Sequence, residues 1–98
     1  MFDGNSRYIT KGIEEQVPLE LMILMWIMID RKKQNTELDY LQIFTFSEEN
    51  GLQTIVHEQE QPKPFKDSYQ KQFPHTFSGK VYVIDDGNHE TMLLAEEY

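Results

Sequence analysis

The sequence predicts an α+β domain: a mostly antiparallel sheet of four or five strands packed on one main helix at about residues 18–34. Two observations carry that prediction. Leu21–Ile29 is an unbroken run of nine apolar residues fenced by Glu20 and Asp30. The segments around it are rich in aromatic and β-branched residues and are joined by Asn-Gly and Asp-Asp-Gly-Asn turns, the pattern of strands in hairpins.

Arg7-Tyr8-Ile9-Thr10 alternates and is β-prone, so it is read as a short first strand that Gly12 ends. The helix follows. Pro18 suits a first helical position, where a missing N–H is not needed, and it holds Val17 extended, so the helix cannot begin earlier. Glu14, Glu15 and Glu20 lie near the positive end of the helix dipole; Arg31, Lys32 and Lys33 lie near the negative end, and Asn35 is a stop.

The nine-residue run covers about two and a half turns, so apolar groups point all round the axis. A helix lying on one sheet needs only a stripe. Leaving three or four such side chains wet would forgo roughly 5–10 kcal/mol, comparable to a domain's whole stability. Another piece of the chain, a second copy or a different partner is therefore expected to cover the second face. A membrane is a poor candidate. The run spans about 14 Å against a hydrocarbon core of about 30 Å, and no basic segment precedes it as a secretion signal would require.

Tyr40–Phe46 is apolar on both faces and reads as a central strand; Asn50-Gly51 supplies the positive φ angles of the turn that follows it. Gln53–Glu60 returns, more polar and nearer an edge, until Pro62 and Pro64 end it. In residues 61–79, Phe65, Tyr69, Phe73 and Phe77 recur every four positions, which predicts a short second helix in 64–73, opened by Pro64 and closed by Pro74. An irregular excursion folding its aromatics onto the core is the alternative, and either form would serve to cover the helix. Lys80–Ile84 is a strand, Asp85–Asn88 a hairpin turn, and Thr91–Ala95 pairs back.

Ninety-eight residues without repeats or linkers are read as a single domain, residues 1–98. Net charge is −8, and the nine basic residues are scattered, which argues against direct nucleic-acid binding. The absence of cysteine excludes disulfides, thiolate catalysis and thiolate zinc sites. With no signal or spanning segment, the cytoplasm is the expected compartment.

No catalytic, cofactor-binding or metal-binding residue is assigned. His57, His75 and His89 lie in different elements without metal-ligand spacing. Asp85, Asp86 and Glu90 resemble a cation cluster, but Asp-Asp-Gly-Asn is also what a hairpin turn requires, and calcium-loop spacing is lacking. There is no phosphate loop and no nucleophile elbow.

Five stretches taken together resemble a known family: Arg7–Gly12; Pro18–Leu21 running on to Trp26 and Asp30; Asp39–Phe44; His57–Glu60; and Gly79–Tyr98, with Val83-Ile84-Asp85-Asp86-Gly87 and Met92-Leu93-Leu94-Ala95-Glu96-Glu97-Tyr98. The family is domain of unknown function 960, small proteins of Gram-positive bacteria and their phages. The likeness spans nearly the whole chain and is weakest at 61–78. It implies a compact cytoplasmic domain and brings no activity with it.

Function is expected to be non-enzymatic, an interaction module that pairs as a homodimer or binds another protein. The candidate interface is Met22, Met25, Trp26 and Ile29 of the helix with Phe65, Tyr69 and Phe73; methionines stepping by three from Met22 to Met28 are adaptable contact residues. The alternative is a small-ligand binder or enzyme, with a cleft between the sheet and 61–79 lined by His57, Glu58, Glu60 and Tyr69. A second alternative is a phage-related regulator that acts on nucleic acid or mimics it.

Overall fold

The computed structural model describes residues 1–98. Its elements, in chain order, are β1 (Ser6–Ile9), α1 (Lys11–Gln16), α2 (Leu19–Lys32), β2 (Leu41–Glu49), β3 (Leu52–Gln59), β4 (Phe65–Gln72), β5 (Gly79–Asp85) and β6 (His89–Leu94), closed by a 3-10 turn at Ala95–Glu97. The strands form one six-stranded sheet in the order β1-β6-β5-β2-β3-β4. All neighbours are antiparallel except β1 and β6, which run parallel. The sheet is therefore mixed and has six strands, which corrects the expected four or five.

The extra strand is β4, and it replaces the expected helix at 64–73. A spacing of four suits a helix face, but four is also a multiple of two, so Phe65, Tyr69 and Phe73 share one side of a strand equally well. Pairing with β3 from Gln59↔Phe65 to Leu52↔Gln72 decides between them. The short helix α1 also departs from expectation, because Gly12 lies inside it instead of marking an end. Thr10 caps α1, its hydroxyl accepting from the Ile13 amide, and the Glu97 carboxylate accepts from the Thr10 hydroxyl (2.7 Å) and from the Leu94 amide (2.8 Å).

The turn at Asn50-Gly51 forms as read, with φ of 53° and 83°. Beyond β4, residues 73–78 pass along the ends of β3 and β2 to reach β5. Gln53 clamps this crossing: its Nε2 donates to the Phe77 carbonyl (2.9 Å) and the Ser47 carbonyl (2.8 Å), and its Oε1 accepts from the Phe77 amide (2.8 Å).

The core lies between α2 and one face of the sheet. Leu21, Met22, Met25 and Ile29 of α2 belong to the same buried cluster as Phe44, Phe46, Ile55, Val81, Val83, Met92 and Leu94. The opposite face has no covering layer. Ile43 and Leu93 are buried there by their strand neighbours, Tyr8 stands exposed at one edge, and Tyr98 meets Tyr82 edge-on at 5.5 Å.

Candidate functional site

The first site is the side of α2 turned away from the sheet. At 100° per residue, Met25 is centred on the sheet-facing side with Leu21 and Ile29 flanking it, and Ile23 is centred on the other. Burial follows that phase. Met25, Leu21 and Ile29 are fully buried, while Leu19 is 67% exposed, Ile23 50% and Ile27 39%. Spaced i, i+4, i+8, the last three form an apolar stripe that nothing in the chain covers. The segment expected to cover it is committed elsewhere, because β4 extends the sheet while Phe65, Phe73 and Phe77 pack against the core.

This phase sorts the expected interface residues. Met22, Met25 and Ile29 are core and offer nothing to a partner. Trp26 is half-buried on one flank of the stripe, beneath the Arg7 guanidinium at 4.6 Å from the ring centroid. Phe65 and Phe73 are half-buried against the core, and Tyr69 is exposed on β4, so neither group joins the stripe. The sequence alone does not single out Leu19, Ile23 and Ile27. Counting 100° steps from Met25 identifies them once the sheet-facing side is known.

Charge is arranged unevenly around the stripe. Arg7 bridges Asp30 through both terminal nitrogens and donates from Nε to Glu90 (3.0 Å); the bonds to Asp30 and Glu90 outweigh its burial and raise its pKa. Lys32 pairs with Asp67 of β4 at 2.7 Å. Glu20 and Arg31, at the two ends of the stripe, have no salt-bridge partner in the chain.

The second site is a cleft of about 270 Å³ between the C-terminal half of α2 and β4, lined by Met28, Arg31, Lys32, Asn35, His57 and Asp67. It is not the expected set. His57 lines it, but Glu58 is on the opposite face of β3, Glu60 lines a separate depression with Asp39 and Tyr40, and Tyr69 pairs with Ile55 further along the sheet. Asp67 and Lys32 take the polar places instead. Burial lowers the His57 pKa to about 4, so the ring is neutral. Its Nε2 is tied to Gln42, and Nδ1 has no hydrogen-bond partner in the chain. No three His, Asp or Glu side chains converge as metal ligands, and no helix is long and apolar enough to cross a membrane.

The family described as Staphylococcal protein of unknown function (DUF960) matches residues 6–97. The chain belongs to this family. The DUF960 match runs from β1 to the C-terminal turn and takes in both α2 and β4. A crystal structure of a protein of unknown function from Enterococcus faecalis is similar to it, with a TM-score of 0.81 and 29% sequence identity over 99% of this chain and 94% of that one. That likeness extends across β4. Among curated proteins, none matches this DUF960 chain.

Proposed function

We propose that this DUF960 protein is a non-enzymatic interaction module whose docking element is the outer face of α2. The observation that carries this reading is the stripe of Leu19, Ile23 and Ile27, on average about half exposed and uncovered by any other segment. Burying what those three still expose is worth roughly 2–5 kcal/mol, enough to matter in a domain of this size. Single exposed leucines are ordinary. Three in register along one helix, next to a tryptophan, form the kind of patch that partners use.

Photo-crosslinking tests this in cells of the source species. A photoreactive side chain placed at Ile23 or Ile27 is expected to give a discrete protein adduct, and one at Gln70, on the opposite face of the sheet, is expected to give none. Failure at both helix positions overturns the reading.

A second reading rests on His57. A neutral imidazole with a free Nδ1 at the floor of a cleft, beside the Lys32–Asp67 pair, suits a small polar ligand. Thermal-shift screening with metabolites is expected to reveal such a ligand, and a compound whose effect survives His57→Leu does not bind there.

A further inference from the structure

We propose that the outer face of α2 docks on the same face of a second copy, the two helices running antiparallel about a twofold axis that crosses at the level of Met25. The proposal rests on the interaction reading above and names its partner. It follows from which charges the fold leaves free. Of the four charged residues within α2, Asp30 is held by Arg7 and Lys32 by Asp67, while Glu20 and Arg31 remain exposed and unpaired.

Geometry makes those two complementary to themselves. Counting from Ile23 at 100° per residue, Glu20 projects about 60° and Arg31 about 80° to the same side of the stripe. A twofold axis perpendicular to two antiparallel helices turns each flank toward its own counterpart. Each copy's Glu20 then meets the other's Arg31, and the contact is made twice. In this register Ile23 sits against the second copy's Ile27. Trp26, the chain's only tryptophan, comes next to the axis. A parallel arrangement would instead carry each charge to the opposite flank of the pair and leave Glu20 and Arg31 unmatched. Opposed helix dipoles favour the same choice, with the acidic first turn of each helix (Glu20) near the basic last turn of the other (Arg31, Lys32). The patch is isologous, so assembly closes at two copies.

A net charge of −8 on each copy opposes association at long range. At about 0.15 M salt that repulsion is screened beyond about 8 Å, while contacts at the helix pair persist. The helix of 14 residues is about 21 Å long, so the contact is small and the affinity modest.

Sedimentation equilibrium on the purified chain at about 0.15 M salt, up to about 1 mM protein, tests the proposal. The mass is expected to rise toward the dimer, with Trp26 emission shifting to the blue as it does. Glu20→Arg and Arg31→Glu are each expected to weaken the dimer roughly tenfold, because two pairs become like-charge contacts. The two combined restore it, and Ile23→Asp abolishes it. All three positions mutated are exposed, and unchanged melting of the dilute variants shows that the fold is retained. A monomer at every concentration, a dimer indifferent to Ile23→Asp, or a double variant no tighter than the singles overturns the proposal. If the chain is monomeric yet the probe at Ile23 still captures a different protein, self-pairing falls and the interaction reading stands. If the probes at Ile23 and Ile27 both capture nothing, both fall.

Discussion

His57 Nε2 lies 2.7 Å from Gln42 Oε1, and the hydrogen bonds beyond Gln42 decide which of the two donates. Gln59 Nε2 faces the carbonyls of Glu37 and Lys63, which only accept, so Gln59 Oε1 must receive the Asp39 amide and Gln42 Nε2. Gln42 is thereby left presenting its oxygen to the ring. His57 therefore carries its proton on Nε2, and the lone pair stands on Nδ1. Three buried polar side chains, satisfied in sequence from backbone to ring, set one tautomer.

Stability should fall on mild acidification because of this ring. The folded pKa of His57 is about 4 against 6.5 for the free side chain. Between those values the unfolded chain binds a proton that the folded chain refuses, so stability is lost as pH drops from about 7.5 toward 4 and levels off below. By linkage the loss at pH 5 is about 2 kcal/mol. Urea midpoints at pH 7.5 and 5 should separate accordingly in the wild type. In His57→Gln that share of the separation should vanish, and a separation of unchanged size would refute the assignment.

Arg7 holds a buried charge in place. Glu90 is fully buried, its Oε1 accepts from Arg7, and its Oε2 has no partner in the chain. Arg7→Ala leaves that carboxylate alone in the interior and should cost about 3–5 kcal/mol. Pairing it with Glu90→Leu should recover most of the loss, as chemical denaturation of the two variants would show. Additive costs would mean that the pair does not act as a unit.

Gln53 is a small side chain with a long reach. It satisfies both the amide and the carbonyl of Phe77, and so ties the crossing at 73–78 to the start of β3. Gln53→Ala should destabilise the protein by about 2 kcal/mol and raise amide exchange in that crossing before anywhere else. Uniform exchange across the sheet would argue against a local clamp.

Two neighbours on α2 should behave oppositely. Met25 is fully buried and Ile23 half exposed. Met25→Ala should cost about 2–5 kcal/mol through the cavity it leaves, and Ile23→Ala in the dilute chain no more than about 1. Equal costs in thermal melts would mean that the helix is rotated from the orientation described.

Much of the fold could be read from the residues because local signals agreed with the final pairing. Asn50-Gly51 marked its hairpin, and Pro18 and the acidic-to-basic gradient bounded α2. What was not legible was phase and partner. The run from Leu21 to Ile29 has no polar side chain to show which side faces the sheet, so the sequence alone reads the buried Met22 and Met25 as contact residues. Phe65, Tyr69 and Phe73 satisfy the period of a helix and of a strand at once, and their neighbours Lys66, Ser68 and Gln70 carry no β-branched signal. Only the open edge of β3 decides between them. Glu58 is expected in the cleft with His57, but neighbours in a strand face opposite ways and the register puts Glu58 on the other face. Asp67 and Lys32 meet near His57 because β4 joins the sheet, which no local pattern announces.

The parallel pairing of β1 with β6 has a mechanical consequence. Ser6–Ile9 lies along His89–Met92 in the same direction, so tension applied at the two ends of the chain drags these strands past each other lengthwise. Every hydrogen bond between them is then loaded together, whereas an antiparallel edge pulled the same way would peel open one rung at a time. Stretched between bead and surface, the molecule should hold nearly rigid and then give way in one abrupt step.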